Sequence, residues 1–153
     1  MVDENILDAL KDKSNKEYFI EQIESIKQDS RIIRVCFDKE IISFYTKPII
    51  ATDIKKNLYA VGKMKINLNL QDGQVTFKNL DGTHDSYQDN MHAPHVYSNG
   101  TACWGTASKD ITEFLAKFEV AEVIFTALNY LEVVNINDTA GKAAKRAWPR
   151  VKI

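Results

Sequence analysis

Cysteine, proline and glycine are all scarce in this sequence, with 2, 3 and 6 occurrences among 153 residues, and neither sign of charge is in surplus. Two cysteines, Cys36 and Cys103, without a secretory signal make reduced thiols the expectation rather than a disulfide framework. So little proline and glycine marks no disordered linker. Lys plus Arg at 20 against Asp plus Glu at 21 leaves a net charge of -1, which argues against a nucleic-acid footprint over the whole surface and leaves room only for a local basic patch. The opening Met1-Val2-Asp3-Glu4 carries early acids and no apolar run, so neither a signal peptide nor a membrane span is readable and the cytoplasm is the expected location. What is present, 44% apolar and 27% charged residues, suits one globular domain over 1–153, large enough to bury roughly two-thirds of its unfolded surface.

Ile6, Leu7 and Leu10 share one helical face, and after Ser14-Asn15 a second stripe follows at Phe19, Ile20, Ile23 and Ile26. Ser14 with Glu17 has capping-box spacing, so one broken helix and two short ones fit equally. The lysines here read as a solvated face or as a partner's docking site. Arg31 to Phe37 and Glu40 to Thr46 read as a hairpin around Asp38-Lys39, with Cys36 as a small buried hydrophobe. Lys47 to Val61 shows no clear pattern, and Pro48 keeps it from being a plain central strand. Met64, Ile66, Leu68 and Leu70 then alternate with polar residues, Asp72-Gly73 turns the chain, and Val75 and Phe77 return, an antiparallel meander with one buried face. Thr83 to Gly105 has no sustained period, a length that within a compact domain is often functional.

Asp110 with Glu113 has capping-box spacing again, and the apolar residues from Ile111 to Leu131 support a long core helix. Asp138 can cap a last helix that runs towards Trp148 and ends at Pro149. This order, helix, about four strands, a long irregular segment and C-terminal helices, predicts an α+β fold with a mostly antiparallel sheet.

The irregular segment ends in Pro94-His95-Val96-Tyr97-Ser98-Asn99-Gly100-Thr101-Ala102-Cys103, where an X-Pro step and an Asn-Gly turn set a cysteine just before a helix. His84, His92, His95 and Cys103 are zinc-type ligands, but their spacing is none of the recognised Cys/His patterns. A thiol hydrolase, with one of these histidines as base for Cys103, is a second reading.

The same stretch resembles the active-site segment of the ubiquitin-conjugating enzymes, in which a His-Pro-Asn motif precedes the thioester-forming cysteine. Pro94 and Cys103 match in register, Asn135-Ile136-Asn137-Asp138-Thr139-Ala140 resembles the family's Pro-Asn-x-x-Asp-Pro-Ala segment, and Gly62 to Leu70 resembles its Gly-Gly-x-Phe strand. Ala93 stands in place of the motif's histidine and His95 in place of its asparagine, and the family's Tyr-Pro-x-x-Pro-Pro run is missing. The pattern, strongest over 62–149, is similar to the divergent bacterial members, thought to work with a ThiF-like activating enzyme, a ubiquitin-like modifier and often a metallopeptidase.

The resemblance implies the UBC fold, an antiparallel four-stranded meander with flanking helices. It also implies that Cys103 accepts the C-terminus of a ubiquitin-like protein as a thioester and passes it to an amine or thiol of a protein acceptor, with no cofactor, metal, nucleic acid or membrane involved. A thiol of pKa about 8.5 is a few per cent ionised near neutrality, which suffices for thioester exchange. A lysine acceptor is harder, since its neutral form lies about 4.6 kcal/mol uphill at pH 7. Asp138 would orient that amine and take its proton, or is a plain helix cap. His95 would donate to the tetrahedral oxyanion, a contribution of around 3 kcal/mol, or brace the turn through a backbone hydrogen bond. The rival implication is a non-catalytic member that only binds a ubiquitin-like protein or another partner.

Overall fold

The computed structural model describes residues 6–86, 89–102, 104–105, 107–137 and 139–151, without the side chains of 139, 140 and 145. Helices α1 (Ile6–Ala9) and α2 (Lys13–Lys27) open the chain. Asp12, not Ser14, caps α2: its Oδ1 accepts from the backbone N–H of Ser14 at 2.9 Å and of Asn15 at 3.2 Å. The cap lies two residues earlier than Ser14-Glu17 suggested because aspartate satisfies the orphan donors from outside the first turn.

Strands β1 (Ile32–Asp38) and β2 (Ile41–Thr46) form the expected hairpin, with Lys39 at a positive φ of 57° in its turn. Then the chain leaves the meander. Residues Lys47 to Val61, unreadable by pattern, form a separate two-stranded ribbon of β3 (Ile49–Thr52) and β4 (Leu58–Gly62) before β5 (Met64–Asn69) and β6 (Val75–Asn79) complete an antiparallel four-stranded sheet in the order β1-β2-β5-β6. On its inner face Ile42, Phe44, Met64, Ile66, Leu68, Val75 and Phe77 are buried in one cluster with Phe19, Ile23 and Ile26 of α2. Cys36 departs from expectation. It pairs with Ser43 on the opposite, polar face of the sheet and is half-buried, because the phase of β1 turns Val35 and Phe37 to the side of Phe44 and Ile42.

A short hairpin, β7 (His84–Ser86) and β8 (Asp89–Met91), precedes the irregular segment. The long core helix expected downstream is two helices, α3 (Ala107–Ala116) and α4 (Val120–Leu131), and Asp110 lies within the first turn of α3 rather than at its cap. The break is a Schellman-type closure: Phe118 takes the left-handed conformation at φ 58°, and the N–H groups of Phe118 and Glu119 bond back to Leu115 and Phe114. Glycine usually fills that position, so phenylalanine concealed the break. Arg31 fixes the far end of α4, donating to Glu132 at 2.6 Å and Asn129 at 2.9 Å while also paired with Asp29. Helix α5 (Thr139–Ala147) closes the fold, and residues 149–151 run along β4 through Ala60 N–H to Pro149 and Val151 N–H to Leu58. Among the described residues the class is therefore α+β, with an antiparallel sheet and five helices. No helix among the described residues is long and apolar enough to cross a membrane.

The β3–β4 ribbon is held by a buried carboxylate. Asp53 accepts from the Tyr59 hydroxyl at 2.8 Å, Asn57 Nδ2 at 3.1 Å, and the backbone N–H groups of Lys55 and Asn57 at 2.9 and 3.0 Å. Burial by itself pushes the Asp53 carboxyl up, but the four hydrogen bonds together outweigh it and hold the group down at about 2. Burial first, and then the bond to Asp53, push the Tyr59 hydroxyl up to about 12. For Asp53 the folded value lies below the unfolded one, so its contribution is full above pH ~4 and is lost as pH falls through about 2. That loss amounts to about 2 kcal/mol. For Tyr59 the folded value is raised, so its contribution is full below pH ~10 and is lost as pH rises through about 12. Asp53→Ala, which strands the Tyr59 hydroxyl in the core, should cost about 3 kcal/mol and flatten the acid limb of a denaturant-stability profile against pH. An acid limb unchanged in the variant would assign that limb to another carboxylate.

Candidate functional site

The segment before position 103 is clamped at Ser98 and along Tyr97 to Thr101. At the end of β6, Asn79 donates from Nδ2 to the carbonyls of Val61 at 2.7 Å and His92 at 2.9 Å, and its backbone N–H donates to His92 Nδ1 at 3.0 Å. With Nδ1 accepting, the His92 proton resides on Nε2, which donates to the Ser98 carbonyl at 3.1 Å. Asp89 accepts the Ser98 N–H at 2.9 Å, and that bond holds the Asp89 carboxyl below its ordinary value. Ser98 is thus gripped at both its backbone donor and its acceptor.

Beyond it the turn folds onto β6. Gly100 N–H bonds to Tyr97, Phe77 N–H bonds to the Gly100 carbonyl at 2.8 Å, and Asn99 Oδ1 accepts from both the N–H and the hydroxyl of Thr101. Gly100 has φ 84°, and a Cβ there would lie 2.8 Å from the Phe77 carbonyl oxygen. Glycine at position 100 is thus required by close approach to the strand as well as by the turn.

A second tie crosses to the segment after α4. His95 Nε2 accepts the backbone N–H of Asn135 at 3.0 Å, and the Tyr130 hydroxyl donates to the His95 carbonyl at 3.1 Å. Tyr130 in turn packs on Trp104, with ring centroids 4.8 Å apart, and Trp104 on Phe77 at 5.6 Å. Trp104 therefore belongs to the aromatic packing beneath the segment. Cys103 and Asp138 lie outside the described residues; their neighbours Ala102, Trp104 and Asn137 lie within them. A cavity of about 320 Å³, lined among others by Gly73, Gln74, Thr101, Ala102, Trp104 and Ser108, opens beside this segment.

Of the sequence candidates, His95 reaches the 135–137 segment that leads to Asp138, whereas His84 lies elsewhere, packed 4.3 Å from the ring of Trp148. Among the described residues no three His, Cys, Asp or Glu side chains gather as metal ligands. Both ring nitrogens of His92 are committed to backbone groups, so its part in this geometry is that of a brace rather than of a base. Asn79, Asp89 and Tyr130 were not singled out by sequence. Each acts through a bond to a residue 9 to 35 positions away, which leaves no local signal.

No family model, curated protein or solved structure matches this chain.

Proposed function

We propose that the protein is a ubiquitin-conjugating-like enzyme of the divergent bacterial type, built on a UBC-like fold. The Cys103 thiolate attacks the thioester joining a ubiquitin-like protein to a ThiF-like activating enzyme, and that enzyme's thiolate leaves. An acceptor amine then attacks the Cys103 thioester, an amide forms, the Cys103 thiolate departs and the amine loses its proton. Asp138 orients that amine and takes the proton, and His95 holds or polarises the reacting carbonyl's surroundings. The observation that supports this reading most is the double clamp: Ser98 gripped by His92 and Asp89, and His95 tied to Asn135, so that the segment entering position 103 and the segment entering position 138 are fixed to each other. Rigid placement of a nucleophile relative to its acid–base partner is what such a reaction needs. The small residues of the adjoining cavity, Gly73, Thr101, Ala102 and Ser108, suit an extended, slender chain end.

Incubation of the purified protein with a candidate activating enzyme, its modifier and ATP should give a thiol-sensitive adduct by mass spectrometry. Tight modifier binding without any adduct would favour a binding module instead.

His95 offers a second test. Removing its acceptor leaves the Asn135 N–H without that bond, so His95→Ala should cost about 1 kcal/mol of stability. It should also slow transfer from a preformed thioester by tenfold or more, within the range of a lost transition-state donor. His95→Gln, whose amide oxygen reaches about as far as Nε2, should accept the Asn135 N–H again and restore the brace. A lowered melting temperature with normal transfer by the folded fraction would leave His95 a brace alone.

A further inference from the structure

The turn of the β3–β4 ribbon, Asp53 to Asn57, lies beside the chain leaving α4: Thr52 N–H bonds to the Glu132 carbonyl at 2.8 Å and Val134 N–H to the Thr52 carbonyl at 3.1 Å. At this junction two branched aliphatic side chains are left in solvent, Ile54 at 78% and Val133 at 55% exposure, and both line one open cavity of about 440 Å³ together with Val134, Asn135 and Asn137. Isolated exposed apolar residues need no explanation, but two sharing a cavity form a patch. The patch has a basic rim. Lys55 and Lys56 are exposed next to Ile54, and neither forms an ion pair among the described residues. The adjacent acids are already engaged, Asp53 within its own turn and Glu132 with Arg31. Nor is the tip a loose loop, because the four bonds to the Asp53 carboxylate fix its shape. Binding to it would therefore lose little conformational freedom. Asn135, in the cavity wall, is the residue bonded to His95.

We infer that this face docks the acceptor protein through a segment with a bulky aliphatic side chain flanked by carboxylates. The aliphatic group sits between Ile54 and Val133, and the carboxylates meet Lys55 and Lys56. The word acceptor rests on the transfer reading above; the docking chemistry does not.

The probe is a fluorescein-labelled peptide, Asp-Glu-Leu-Glu-Asp, titrated into the full chain and followed by anisotropy and by backbone amide NMR. Saturable binding should shift the amides of Ile54, Lys55, Lys56, Val133 and Asn135. Peptides with serine for leucine, or lysine for the acids, should bind about tenfold weaker or less. Ile54→Asp and the double variant Lys55→Glu/Lys56→Glu should each weaken binding by a similar factor at an unchanged melting temperature. Shifts elsewhere only, equal binding of the basic peptide, or binding that survives both variants would overturn the docking face. Because the titration needs no activating enzyme or thioester, the two readings fail separately. Adduct formation at Cys103 without these shifts removes the docking face, and these shifts without an adduct keep the face but remove its acceptor.

Discussion

Cys103→Ala is expected to abolish the modifier adduct, and Cys103→Ser to replace it by an ester that survives thiol treatment. A thiol is suited to exchange because a free cysteine, with an ordinary pKa of about 8.5, is a few per cent thiolate at neutral pH. A serine hydroxyl, far less ionised, loads slowly; the oxygen ester it forms is a poorer acyl donor than a thioester and accumulates. Alanine has no nucleophile, so its adduct should fall below detection by intact-mass measurement. Cys36→Ala is the control. That thiol lies half-buried on the polar face of the sheet among Ser43, Tyr45 and Asn67, and its loss should leave the adduct intact. An adduct that persists in Cys103→Ala and disappears in Cys36→Ala would move the reactive centre to the sheet.

Gly141→Ala is expected to lower the melting temperature by roughly 6–12 °C, corresponding to a loss of about 3 kcal/mol in a chain of this size. The sign is the informative part. In an ordinary helical position alanine is more stable than glycine by up to about 1 kcal/mol. At Gly141, in the first turns of α5, a Cβ would fall inside the Asn135 carbonyl group and 3.0 Å from the Ile136 nitrogen. Backbone cannot yield as a flexible side-chain end can, so either α5 or the 135–136 segment must move. Asn135 is tied on its other sides, with its N–H on His95 Nε2 and its Oδ1 accepting the Asn137 N–H. The displacement should therefore release the His95 brace and slow thioester discharge more than the stability loss alone explains. A variant that melts at or above the parent temperature would show that α5 does not approach Asn135 so closely.

Residues near in sequence carried much of the architecture. The period-two alternation from Met64 to Leu70 set the inner face of β5, the stripe Phe19, Ile23, Ile26 set that of α2, and Asp72-Gly73 and Asn99-Gly100 set turns. These are legible because strand pleat, helix repeat and positive φ are decided within a few residues. Resemblance to ubiquitin-conjugating enzymes singled out Cys103, His95 and Asp138. Tertiary structure decided the rest. The ribbon of β3 and β4 left the main sheet, although nothing in Lys47 to Val61 marks a change of partner. Phe118 broke a stripe that looked continuous, because a residue other than glycine can be held left-handed when the packing of α3 against α4 rewards it. The grip on Ser98, the bond from Asn135 to His95 and the burial of Asp53 each join groups whose pairing depends on where distant segments cross. A sequence states which donors and acceptors exist; only the packed chain, which must satisfy the buried ones among them, decides which of them meet.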